Sequence, residues 1–164
     1  ISGWNVGITR AANVRRLTVS AYSALLCSRQ FWELFREEKL LLFQSDSLLC
    51  GHNVLDFIGF DFVGAPAQRF DETFVINGGL SLRTRRKMLE CIDQRGARPA
   101  DQAEDVFFTD VMRTSVPAVL PDFEKACRFA VETVYRGHPV GVHGTDKCYH
   151  SPEVAEQIVR DTVY

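Results

Sequence analysis

Apolar residues recur at helical spacing through "TVSAYSALLCSRQFWELFREE", residues 18 to 38. Leu25, Leu26, Phe31, Trp32, Leu34 and Phe35 fall into stripes that predict two helices broken near Ser28. The next stretch, "KLLLFQSD", is short, apolar and flanked by charge, and it predicts a buried strand ending at Asp46. "DFIGFDFVGAP" predicts a second strand near Phe60 to Val63, ended by Gly64 and Pro66. In "FVINGGLSLRTRRKMLECIDQR" a strand is expected to turn at Asn77-Gly78-Gly79 into a short strand over residues 80–82. A helix should follow from about Thr84, with Met88, Leu89 and Ile92 inward.

The rest of the chain continues the alternation. "EDVFFTDVMR" predicts a helix with Val106, Phe107 and Val111 inward. "LPDFEKACRFAVETVY" predicts a helix with Pro121 near its start and a strand at its end. "HPVGVHG" predicts a short strand running into a glycine turn. "SPEVAEQIVRDTVY" predicts a helix capped by Ser151, with Pro152 in its first position. The first sixteen residues, "ISGWNVGITRAANVRR", have mixed polarity and are expected to be loop-like. Strands alternating with helices predict an α/β fold with a mixed sheet.

Composition narrows the classes. A chain of 164 residues fits one domain, residues 1–164, with a real core. Its net charge of −2 gives no case for a general nucleic-acid or acidic-membrane binder. No apolar run approaches the roughly 20 residues of a membrane span. The chain begins with Ile and its first Met is Met88, so a fragment or a processed product is expected. Cys27, Cys50, Cys91, Cys127 and Cys148 are odd in number and form no Cys-x-x-Cys pair, which argues against a zinc site or a disulfide framework. Free thiols are expected, with room for one disulfide.

Several positions could carry chemistry, and each has a plainer account when taken alone. Asp46 sits where a strand runs into a loop, the place where α/β sheets bind ligands and where a carboxylate can hold a divalent cation; turn aspartates are also common caps. Asn77, Gly78 and Gly79 could let a ligand approach the backbone or could form a tight hairpin. Glu104 and Asp105 open a helix, where acidic residues complement the dipole and where one could act as a general base. His143, at a strand end before a glycine, could be a metal ligand or a loop residue. Arg83, Arg85, Arg86 and Lys87 crowd a helix start, where positive charge is unfavourable; an anionic ligand could offset them, although a solvated surface is the simpler account. His52, His138 and His150 suggest no role.

The order "FQSDS", "VGAP", "NGGLSLR", "EDVFF", "GVHG" resembles a domain family of unassigned function related to glycosyltransferases of the GT-A fold, over about residues 25 to 147. The resemblance implies a GT-A-like, Rossmann-like mixed sheet flanked by helices, shortened at its amino end. It implies transfer of a sugar from a nucleotide-sugar donor to an acceptor hydroxyl, with inversion and help from a divalent cation, Mn or Mg. By the resemblance, Gln44 and Asp46 stand in the Asp-x-Asp position, with Gln44 replacing the first aspartate. Asp46 and His143 would be metal ligands. Gln44, Asp46, Asn77, Gly78 and Gly79 would bind the donor. Asp105 would be the base, with Glu104 beside it. A GT-A-like binding or scaffold domain without turnover is the alternative. A phosphohydrolase ranks lower, because its usual pattern has a nucleophilic aspartate two residues before another aspartate, and Gln44 occupies that earlier position.

Overall fold

The computed structural model describes residues 17–51, 53–68, 74–145 and 149–162. The amino-terminal loop expected for residues 1–16, and the positions of His52 and Cys148, lie outside the described residues. Cys27, Cys91 and Cys127 are free thiols.

Two helices open the described chain, as the pattern implies. α1 (Val19–Leu26) is capped by Thr18, whose hydroxyl accepts from Ala21 N at 3.2 Å, and α2 (Arg29–Glu33) by Ser28, which accepts from Phe31 N at 3.4 Å. The break between them lets Trp32 Nε1 donate to the Leu26 carbonyl at 2.6 Å, so the largest core side chain is buried with its one polar group satisfied.

β1 (Lys39–Phe43), β2 (Ser47–Leu49), β3 (Phe62–Gln68), β4 (Phe74–Thr84), β5 (Ala130–Val131) and β6 (Gly141–His143) form two three-stranded sheets rather than one. The larger has the order β1-β4-β3 and is antiparallel throughout. The smaller has the order β2-β6-β5, with β2 antiparallel and β5 parallel to β6. The fold class is therefore mixed α/β with two small sheets flanked by helices, and the mixed pairing expected of a single sheet is confined to the smaller one.

The helices α3 (Arg85–Arg95), α4 (Glu104–Thr114), α5 (Phe123–Phe129) and α6 (Pro152–Thr162) complete the fold. Strand alternation sends Phe62 and Ile76 to one face of the larger sheet, where they meet Trp32, Met88, Phe107, Phe108 and Val111 from the helices. Val63, Leu80 and Leu82 point to the other face and pack on Phe57, Phe129 and Val140. The central strand β4 is thus covered on both sides, which accounts for its nearly continuous burial. A third cluster, Val131, Val142 and Ile158, joins the smaller sheet to α6. α5 starts as expected, although Pro121 precedes the cap: Asp122 accepts from Lys125 N at 2.7 Å. Ser151 caps α6 and Pro152 is its first residue.

Three local expectations are corrected. The Asn-Gly-Gly segment makes no hairpin turn, because β4 runs unbroken from residue 74 to 84. Ser81 pairs with Gly64 and Ile76 with Pro66, so the surplus residues Asn77 to Gly79 bow out of the ladder as an irregularity. β3 continues through Gly64 and Pro66; Pro66 is tolerated because β3 is an edge strand, where a missing N–H costs no ladder bond. β1 is half-buried rather than buried, with Phe43 62% exposed, since it too is an edge.

The basic start of α3 is also resolved. Arg85 and Arg86 lie 3.8 Å from the Glu38 carboxylate, which also accepts from Arg86 N, and Glu90 pairs with Arg86 and Lys87. Nearby carboxylates therefore offset the dipole at this end. Arg83 is the exception: it is fully buried, against the expectation of a solvated surface.

Candidate functional site

The bowed segment of β4 organises the polar centre. Asn77 Oδ1 accepts from Gly79 N at 2.8 Å, holding the irregularity in shape. The Gly79 carbonyl accepts from Gln44 N at 2.8 Å and from Ser47 Oγ at 3.1 Å, which ties it to the turn between β1 and β2. A Cβ at Gly79 would overlap the His143 ring, and one at Gly78 would overlap Glu104 Oε1 and Arg83 Nη2. The two glycines therefore let the backbone lie directly against two different side-chain groups.

The first group is an ion pair. Arg83 Nη1 and Nη2 donate to the two Glu104 oxygens at 2.6 and 2.9 Å, in a fork that matches the carboxylate. Arg83 Nε also donates to Ser81 Oγ at 2.9 Å, and its guanidinium lies 4.5 Å above the Phe62 ring. Burial pushes the Glu104 carboxyl above its usual range, against the pull of Arg83. Burial opposes the Arg83 charge too, but the contact with Glu104 overcomes it and raises the guanidinium pKa. Both Glu104 oxygens are engaged, so the pair shapes the site and fixes the start of α4. The next residue, Asp105, is half-buried and accepts from Gly78 N at 3.2 Å through Oδ2.

The second group centres on His143, which is 3% exposed at the end of β6. Its Nε2 lies 3.1 Å from Gln44 Oε1 and 3.5 Å from Asp46 Oδ1. Residues at the ends of β1 and β6, almost a hundred positions apart in the chain, thus converge on one nitrogen. Thr145 N and its hydroxyl both donate to the Asp46 carbonyl at 3.2 Å, holding the two loops together. Beyond Gln44 and Asp46 opens a groove of about 480 Å³ that Tyr22, Phe43 and Ser45 also line. Burial pushes the Tyr22 phenol up, with Arg83 acting in the opposite sense.

The residues that the resemblance singles out therefore fall in one connected polar region: Gln44, Asp46 and His143 on one side, Glu104 and Asp105 on the other, and Asn77, Gly78 and Gly79 between them; Arg85, Arg86 and Lys87 lie apart from it, against Glu38 and Glu90. Sequence reasoning missed Glu132 and misplaced Arg83. Glu132 is 8% exposed; its Oε1 accepts from Asn77 Nδ2 at 3.2 Å and lies 3.4 Å from His143 Nδ1. The signal was present, since Glu132 interrupts the apolar run of "FAVETVY" as Asp46 interrupts its own.

Among the described residues no group of three or more His, Cys, Asp or Glu is arranged to hold a metal ion. What the site offers is one carboxylate, one imidazole and the Gln44 amide oxygen. That mixed set of two oxygen donors and one imidazole nitrogen could take a divalent cation only with most of its ligands supplied from outside the protein, and does not make an all-protein cage. Among the described residues no helix is long and apolar enough to cross a membrane.

The fold and site define an α/β domain with a polar centre at strand ends. The chain matches a family of proteins of unknown function, DUF5672, over residues 9–143, and it belongs to that family. No curated protein and no solved structure matches it.

Proposed function

We propose that this domain binds a nucleotide-sugar donor and transfers the sugar to an acceptor hydroxyl with inversion. The observation that carries the reading is the convergence of Gln44 and Asp46 on His143 Nε2 beside an open groove. The resemblance of "FQSDS", "NGGLSLR", "EDVFF" and "GVHG" to GT-A glycosyltransferases supplies the reaction class.

In this reading Asp46 and His143, with Gln44 beside them, would hold a divalent cation, which would supply charge neutralisation for the departing diphosphate. Asn77, Gly78 and Gly79 shape the floor on which the donor sugar rests. Asp105 takes the proton from the acceptor hydroxyl as that oxygen bonds to the anomeric carbon; the carbon–phosphate oxygen bond breaks and the nucleoside diphosphate leaves. Gly78 N–H fixes the orientation of the Asp105 carboxylate. Glu104 does not share in proton transfer, because Arg83 occupies both its oxygens.

The single carboxylate of Gln44-Ser45-Asp46 favours one second reading, a binding domain of the same shape without turnover. Release of nucleoside diphosphate from a panel of nucleotide sugars, measured with Mn²⁺ or Mg²⁺ present, separates the two. Transfer is expected, and Asp105→Asn should lower it by about 10²–10⁴-fold while donor binding persists. Donor binding with no turnover by the parent protein would establish the second reading. No binding of any nucleotide sugar would end both.

A further inference from the structure

His143 has a second side. Its Nδ1 faces away from Gln44 and Asp46, is buried, and has no hydrogen-bond partner among the described residues. Glu132 Oε1 stands 3.4 Å away without the alignment of a hydrogen bond. Both residues line a cavity of about 470 Å³ between the smaller sheet and α6. That volume is in the range of small-molecule sites. Leu48, Val142, Ala155 and Ile158 form apolar walls, and Val159 stands half-exposed at the rim.

The chemistry of the floor selects an occupant. With no cation at Nε2, the tautomer that matches the Gln44 Oε1 acceptor carries its proton on Nε2 and leaves a lone pair on Nδ1. Glu132 presents carboxylate oxygens beside it. Two acceptors side by side in a mostly apolar cavity call for a ligand head rich in N–H donors. Charge narrows the choice further. Among the described residues no Lys or Arg pairs with Glu132 or lines the cavity, and the Asn77 amide is a neutral partner. A buried carboxylate without a cation is costly, and an ammonium group is the complement that would relieve it.

We propose that this cavity is a binding site for a small amphipathic amine, its apolar body against Val142 and Ile158 and its ammonium group on Glu132 and His143 Nδ1. The cavity lies on the other side of His143 from Asp46, shares that ring with it, and does not rest on the sugar-transfer reading.

The probes are 2-phenylethylamine, 2-phenylethanol and 3-phenylpropionate, which share an apolar body and differ in the head. Titrated into the whole protein and followed by melting temperature and by shifts in the NMR spectrum, the amine should give a saturable response and the carboxylate none. The alcohol should bind more weakly than the amine. Glu132→Gln should weaken amine binding by about tenfold or more, the scale of a hydrogen bond to a charged group. Ala155→Phe, at an exposed position of α6 that lines the cavity, should block it and abolish the response even if Glu132→Gln fails to fold. Equal responses to the three probes, a response that survives Ala155→Phe, or no saturable response to the amine below about 10 mM would overturn the proposal.

Discussion

Gly78 and Gly79 are neighbours in the chain, yet each faces a different environment, and the contrast explains how the polar centre is built. Gly78 lies against the Arg83–Glu104 pair, in which both carboxylate oxygens are bonded, the guanidinium is covered by Phe62, and 0% of the arginine side chain is exposed. Gly79 lies against His143, whose ring has one nitrogen shared between Gln44 and Asp46 and one with no hydrogen bond among the described residues, beside the cavity under α6. The first side is closed and satisfied, and it holds structure. The second is open and incompletely satisfied, and it has the character of a site. A buried polar group that keeps bonding capacity next to open volume can take a ligand; one that has spent its capacity cannot.

The largest expected effect is on the closed side. Arg83→Met leaves Glu104 buried without its cation and should cost about 3–5 kcal/mol of unfolding free energy, measured by denaturant titration. Adding Glu104→Leu should recover much of that loss, because the apolar pair no longer strands a charge. Full additivity of the two losses would show that Arg83 and Glu104 are not a coupled unit.

Gly78→Ala and Gly79→Ala come next, each destabilising by about 1–3 kcal/mol through overpacking. They should part company in a double-mutant test. His143→Ala removes the ring that a Cβ at position 79 strikes, so it should rescue much of Gly79→Ala and none of Gly78→Ala. Rescue of both would mean that the two glycines share one environment and would remove the contrast.

An effect confined to alkali should also appear. Burial raises the Cys27 and Cys91 thiols from 9.0 to about 12, and the nearby Glu104 adds to the rise at Cys27. The unfolded chain releases these protons first, so their contribution is complete below pH 9 and is lost as pH climbs from about 9 toward about 12. Stability followed by fluorescence should therefore fall over that range. Cys27→Ala with Cys91→Ala should flatten the slope, and an unchanged slope would place the alkaline loss elsewhere.

The smallest effect belongs to the open side. Asp46→Asn keeps the size of the residue and should change unfolding free energy by no more than about 0.5 kcal/mol. It should nevertheless remove any rise in melting temperature produced by Mn²⁺ with a nucleoside diphosphate, since only ligands of the native state stabilise it by mass action. A loss of several kcal/mol in this variant would make Asp46 a structural residue and would bring the open side closer to the closed one.

The sequence by itself determined what depends on near neighbours. The break at Ser28, the cap at Ser151 with Pro152, the apolar faces of α3 and α4, and the strands at Lys39–Phe43 and Gly141–His143 follow from dihedral preferences and from bonds that span a few residues. The residues with candidate chemistry were legible for a related reason: a charge, a glycine pair or a histidine at the edge of an apolar run stands out locally. Tertiary structure decided the rest. Asn77-Gly78-Gly79 has the composition of a hairpin, but pairing with strands on both sides holds β4 extended and turns the glycines into an irregularity. Arg83 looks like one more surface cation until Glu104 and Phe62 close over it. Gln44, Asp46, Glu132 and His143 meet only because β2, β5 and β6 share a sheet. Burial and long-range partners depend on where distant segments are brought together, and short-range sequence signals carry no record of that.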